Sequence, residues 1–268
     1  MVTCEAPVQG IVGAYTGNSF AVQASTASLL GCALYSAIEL IVLVFSIFQK
    51  YTGLYFWSLL VSASLGVIPD AIGLLLKYFD LAPIWLPVTL STFGWCIMVT
   101  GQSLVLYSRL HLVLFDRRIL HFVLAMIIFD AIVLQTPQII ASYGAVYVCH
   151  LHFQSFFHTW ERVQLTVFCV QEITISTFFI VQTAKLMRIY PTQSTRRANI
   201  LYQLLTINLI IIIMDIALLA LEFTGYFITQ TVLKCFFYTI SLKLEIAVLT
   251  RLASFVRAHY PGECSGLS

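Results

Sequence analysis

Seven carboxylates lie inside long apolar runs of this chain: Glu39, Asp70, Asp130, Glu172, Asp215, Glu222 and Glu245. An acid at bilayer depth is costly, so such residues face a bundle interior or a wet cavity and mark sites of chemistry. A carboxyl among apolar groups tends to keep its proton, because burial disfavours the charged form, and can then act as a general acid. A second, better-solvated carboxylate can take a proton back. Glu39, Asp130 and Glu172 each sit about 12 residues into their run, or about 18 Å by helical rise, which places three acids near the midplane. Asp215 is flanked by Ile210 to Met214 and Ile216 to Leu219, the most apolar surroundings of any acid here. Asp215 is therefore the expected proton donor and Glu39, beside Tyr35 and Ser36, the expected acceptor. The two roles can exchange, since neighbouring carboxylates titrate as a pair. Glu172 completes the catalytic set, and Asn208, Tyr238, Asp130 and Glu245 are the candidate contacts of a bound molecule.

Helical spacing ties these groups to polar stripes. Ser28, Cys32, Tyr35, Glu39 and Ser46 form one; Cys169, Glu172, Ser176 and Thr183, with Gln164 and Gln171 nearby, form a second. Asn208, Asp215 and Glu222 are spaced by seven, and Lys234, Tyr238, Ser241 and Glu245 by four, three and four. Each set falls on one side of a helix. Ser, Thr, Cys and Gln at such places often only join helices by hydrogen bonds. Packing alone rarely requires a midplane acid, and Glu39, Glu172 and Asp215 are expected to converge on one cavity.

The elements that must position these groups follow from composition. The chain has 268 residues, 60% hydrophobic and 10% charged, with a mean hydropathy of +0.92. Soluble domains carry about 45–50% apolar and about 25% charged residues. A soluble enzyme, a secreted disulfide scaffold and a nucleic-acid binder are all disfavoured, and a net charge of +2 with no basic tract suits no polyanion. Apolar runs of about 20 residues read as spanning helices. Seven are expected: Ala27–Gln49, Leu54–Tyr78, Ile84–Leu110, Arg118–Tyr143, Trp160–Arg188, Ala198–Phe223 and Gly225–Ser254. The fold class is all-α, a seven-transmembrane helix bundle over residues 27–254, with a short lumenal segment 1–26 and a cytosolic tail 255–268. No internal repeat of the transporter kind is evident.

Ten of the fourteen basic residues fall on one side of such a bundle, from Lys50 and Arg109 to Arg251 and Arg257. The bias places the N-terminus outside or in the lumen and the C-terminus in the cytosol. The cysteines lack zinc-ligand spacing, so no metal or other cofactor is expected. Cys4 and Cys149 share the outer side, where a disulfide competes with two free thiols. Cys149, His150, His152 and His158 invite a metal reading, but no third ligand type lies close and a polar loop is the simpler account. Lys243 suits an ion pair with a helix acid better than a chromophore linkage. Trp57, Trp85 and Trp160 sit at helix ends, where interfacial belts place them.

Three stretches carry a resemblance: Ser103-Leu-Val-Leu-Tyr-Ser-Arg-Leu-His111, Tyr202-Gln-Leu-Leu-Thr-Ile-Asn208 running on to Asp215, and Ser241-Leu-Lys-Leu-Glu245. They resemble signature stretches of a fungal family of seven-helix integral membrane proteins, which includes membrane-bound terpene cyclases of meroterpenoid pathways such as that of ascofuranone. The resemblance implies a metal-free, protonation-initiated cyclisation of an epoxidised farnesyl chain on an aromatic head. It also implies a lipid-soluble prenylated substrate arriving from the membrane lipid, an endoplasmic reticulum location, and a prenyltransferase and an epoxidase as functional neighbours. The aromatic residues, 20 Phe, 13 Tyr and 4 Trp, would face the developing positive charge. The alternative is a heptahelical receptor-like sensor, which topology and basic cytosolic loops fit equally well. A transporter ranks third.

Overall fold

The computed structural model describes residues 20–48, 53–114, 116–147, 151–189, 195–224 and 227–259. They form seven helices and, among the described residues, no strand: α1 (Phe20–Ile47), α2 (Leu54–Tyr78), α3 (Trp85–Val113), α4 (Arg117–Tyr147), α5 (Leu151–Ile189), α6 (Thr195–Thr224) and α7 (Phe227–His259). Six contain a stretch long and apolar enough to cross a membrane: α1, α2, α4, Trp85–His111 of α3, Ser155–Lys185 of α5 and Leu205–Thr224 of α6. The chain is a multi-pass helical membrane protein. Several helices outrun their apolar runs; α1 begins at Phe20, α5 at Leu151, and α7 ends at His259. Polar residues at those ends continue the backbone ladder without meeting hydrocarbon, so hydropathy marks the span and not the helix.

The seventh helix is interrupted by Lys234, Lys243 and Glu245 and is not among those six spans. Its polar groups are covered by protein instead. Gln230, Lys234, Ser241 and Glu245 are all buried, together with Val232, Cys235, Tyr238, Leu242 and Ile246. A helix at the centre of a bundle meets other helices where an outer one meets lipid, which allows it charges that pair across the core.

Glycines set the closest approach, between α2 and α3. A Cβ on Gly66 would stand 2.9 Å from the Met98 Cα, and one on Gly73 would stand 2.6 Å from the Ser91 nitrogen. Gly94 faces the Asp70 backbone, with 2.8 Å from such a Cβ to the Asp70 Cα, and Gly101 faces the Ser62 hydroxyl. Small residues seven apart on both helices let the backbones touch, as membrane helices commonly do. Within α2, residues Ser62–Val67 adopt a π-helical turn immediately before Pro69. Proline supplies no N–H and crowds the carbonyl four residues back, and a widened turn accommodates both.

α1 presents Thr26, Leu30, Ala33, Ala37, Leu40 and Val44 to the core, at alternating spacings of four and three. Its polar stripe faces the other way. Ser28, Cys32, Tyr35, Glu39 and Ser46 are all exposed, which reverses the inward orientation expected for them. The reason is steric. Ala33 and Ala37 are fully buried on the face that α1 turns toward α2 and α7, and the polar face is left outside.

Candidate functional site

Consecutive helices alternate in direction, so the α2–α3, α4–α5 and α6–α7 connections share one end of the bundle with the start of α1. Toward that end lies a cavity of about 90 Å³. Asp70, Leu74 and Lys77 of α2 line it, with Trp95 of α3, Gln138 of α4, Phe157 and Glu161 of α5, and Lys234 of α7. The close α2–α3 contact at Gly94 is what sets the Asp70 backbone here. Lys234 Nζ stands 2.8 Å from Glu161 Oε1 and 3.1 Å from Glu222 Oε2, and 5.3 Å from the centre of the Trp95 ring. Gln230 donates from Nε2 to Glu222 and, at 3.4 Å, to Glu161 Oε1. Asp70 shares a hydrogen bond with Cys235. Charges taken out of water are tolerated only when paired in this way. Two lining acceptors, Gln138 Oε1 and Glu161 Oε2, have no hydrogen-bond partner among the described residues.

Deeper in the core, the buried carboxyl groups of Glu172 of α5 and Asp215 of α6 are close neighbours. Two carboxyls so placed repel unless one of them keeps a proton. Tyr238 of α7 and Cys169 of α5 lie within electrostatic reach of both acids. Tyr238 also packs edge-on against Trp95, ring centres 5.8 Å apart, which joins this pair to the cavity wall. Beside it, Gln102 Nε2 donates to Ser241 Oγ at 2.6 Å, and Gln171 Nε2 donates to Ser103 Oγ at 2.8 Å.

Toward the opposite end, Arg109 of α3 is fully buried and stands 2.9 Å from Glu245 Oε2 of α7. Its other arm donates to Asn208 Oδ1 of α6, and Asn208 Nδ2 donates to the Ser176 carbonyl of α5 at 3.2 Å. Tyr55 of α2 donates to the Glu245 carbonyl at 2.8 Å, and the Phe179 ring lies 4.3 Å from the guanidinium carbon. Five helices are tied together by this one arginine.

The candidates chosen from sequence thus divide. Glu172, Asp215 and Tyr238 come together, on stripes of α5, α6 and α7 that all face inward. Asn208 and Glu245 belong to the Arg109 cluster instead. Asp130 lies on the buried face of α4 between Ile127 and Leu134. Glu39 does not join any of them: its side chain is 44% exposed and pairs at 2.5 Å with Lys243, itself 27% exposed. The expected convergence of Glu39 with Glu172 and Asp215 is therefore corrected. Trp160 is more than an interfacial anchor, since its Nε1 donates to the Leu134 carbonyl at 3.1 Å, one turn before Pro137. Sequence reasoning passed over Lys77, Gln138 and Glu161. Their one signal was a polar residue toward an end of the second, fourth and fifth runs, which is also what a helix end normally looks like. The cysteine pair Cys4 and Cys149, with His150, lies outside the described residues, as does the side chain of His152.

The fold and its buried charges define a polytopic helical membrane protein with an internal polar cavity. The chain belongs to the family described as Domain of unknown function (DUF7703), which it matches over residues 16–267. No curated protein matches it. No solved structure matches it.

Proposed function

We propose that this chain is a receptor-like heptahelical membrane protein that holds a small water-soluble ligand in the Asp70 cavity. The observation that supports this reading is the lining: α2, α3, α4, α5 and α7 all contribute to it, with two ammonium groups, carboxylates and an indole face. A ligand touching five helices has different contacts in any two arrangements of the bundle, which is the requirement for shifting their populations. The same lining weighs against cation chemistry in this cavity. Lys77 and Lys234 would raise the energy of a developing carbocation. All seven helices are taken to span, α7 included. The ten-to-three bias of basic residues, with Lys243 inside α7 counted on neither side, supports a lumenal or external N-terminus and a cytosolic C-terminus. That orientation puts the cavity in the outer half and Arg109 in the cytosolic half, in the endoplasmic reticulum membrane.

The test is a thermal-shift screen of the purified protein in lipid nanodiscs against small acids, amines, zwitterions and polyols. A ligand at a hundred times its Kd stabilises by about 2.7 kcal/mol, a readable shift. At least one class should raise the unfolding temperature of the wild type and not that of Lys77→Met. If no class does so, the reading fails.

A second reading is favoured by the Glu172–Asp215 carboxyl pair with Tyr238 beside it. It is the protonation-initiated terpene cyclase of the fungal family whose stretches resemble this chain, acting without cofactor on a prenylated substrate drawn from the lipid. Asp215 would supply the proton and Glu172, in place of Glu39, would receive one. Microsomes given an epoxyfarnesyl phenol decide between the two. A cyclised product that disappears with Asp215→Asn would put the cyclase first.

A further inference from the structure

The cavity's unsatisfied atoms say more than that a small ligand enters. Lys234 is already held by two carboxylates, Glu161 and Glu222. Lys77 also lines the cavity, with Glu161 as its electrostatic neighbour, and among the described residues it makes no ion pair within 4 Å. An ammonium in that position calls for an acceptor. The reverse holds for the acceptors. Gln138, only 6% exposed, and the buried Glu161 present Oε1 and Oε2 with no donor among the described residues. A buried acceptor left unmade costs more than an average hydrogen bond contributes, so these atoms call for N–H or O–H groups.

One molecule meets both demands if it carries an anionic end and a cationic, hydrogen-bonding end. We propose that the Asp70 cavity binds a small zwitterion of the amino-carboxylate class, its carboxylate at Lys77 and its ammonium at Gln138 Oε1 and Glu161 Oε2. This assignment rests on the receptor-like reading of the cavity. A zwitterion brings no net charge into the low-dielectric core, whereas a simple anion or cation would add an unbalanced one. Size agrees. About 90 Å³ is at least the room of about three waters at roughly 30 Å³ each, which suits a molecule of a few heavy atoms. Trp95 lines the same cavity, its ring 5.3 Å from Lys234 Nζ.

The experiment titrates nanodisc-embedded wild-type protein with glycine, β-alanine and γ-aminobutyrate, and in parallel with acetate, propionate, methylamine and propylamine. At least one zwitterion should bind ten times more tightly than any singly charged control. Lys77→Met and Gln138→Leu should each weaken it about tenfold to a hundredfold, the usual cost of deleting a partner of a charged group. Thr136→Val, on the exposed face of α4, should leave binding unchanged. The ligand series on the wild type needs no variant, so a poorly folding Gln138→Leu does not spoil the test. Equal binding of a carboxylate or an amine alone would overturn the zwitterion assignment. Zwitterion binding indifferent to both substitutions would overturn it too, by placing the ligand elsewhere. If no zwitterion binds while another compound stabilises wild type but not Lys77→Met, the class falls and the cavity's role as a ligand site stands. If nothing in the wider screen binds, both fall.

Discussion

Breaking the Arg109–Glu245 pair tests whether the Arg109 cluster holds the bundle together. Both side chains are essentially inaccessible, at 1% and 0% exposure. Glu245→Leu leaves the guanidinium with only the Asn208 amide oxygen and the Phe179 ring, so a full positive charge stays buried without a counter-ion. Arg109→Met leaves a buried carboxylate and also removes the donor to Asn208. Each single change should cost about 3–5 kcal/mol, the range for deleting one partner of a buried ion pair. The double variant Arg109→Met/Glu245→Leu removes both charges and restores apolar packing. It should cost less than either single change, with a residue of about 1–3 kcal/mol because the Asn208 oxygen still loses its donor. Thermal unfolding in nanodiscs reads this as losses on the order of 10 °C for the singles and clearly less for the double. Additive single effects, or a loss below about 1 kcal/mol for Arg109→Met, would refute the claim that these two groups stabilise each other across α3 and α7.

Two further changes probe other parts of the structure. Gly94→Ala should destabilise by about 1–3 kcal/mol by forcing α3 away from the Asp70 backbone, whereas Gly31→Ala, with nothing within 4 Å of the added methyl, should be neutral or stabilising; equal effects in thermal unfolding would contradict the α2–α3 contact. The protonated-carboxyl stretch in the infrared spectrum should weaken in Asp215→Asn and in Glu172→Gln and persist in Glu39→Gln, because one of the first two acids keeps a proton and Glu39 pairs with Lys243; a band that responds only to Glu39 would refute the pairing.

The stripes of α5, α6 and α7 were legible because a polar group inside a long apolar run has few tolerable places, and helical spacing says which share a face. The stripe of α1 was misread for a reason just as physical. Periodicity shows that Ser28, Cys32, Tyr35 and Glu39 share a side but not which side is covered, and the face of Ala33 and Ala37 is the buried one. Lys243 was expected to pair with a helix acid, and it does, but local spacing could not say that the acid is Glu39, 204 residues away. The cavity was harder still. Its charged members come from α2, α5 and α7, near helix ends where charged residues are ordinary, and only the packing of helices brings Lys77, Glu161 and Lys234 to one space.

What joins these sites is α7. Lys234 lies at the cavity, Tyr238 at the Glu172–Asp215 pair and Glu245 at Arg109, with intervals of four and seven residues, close to one and two helical turns. The three therefore stand in line on one side of one rigid helix. A ligand that competes for Glu161 loosens the hold on Lys234, and α7 cannot answer by turning without carrying Tyr238 and Glu245 through the same angle. Arg109 resists that turn through Glu245, while Asn208 anchors the arginine to α6. Occupancy of the cavity and integrity of the Arg109 pair are then two loads on the same element. Coupling between them is measurable as a change in ligand affinity when Arg109→Met/Glu245→Leu is introduced, although neither residue lines the cavity.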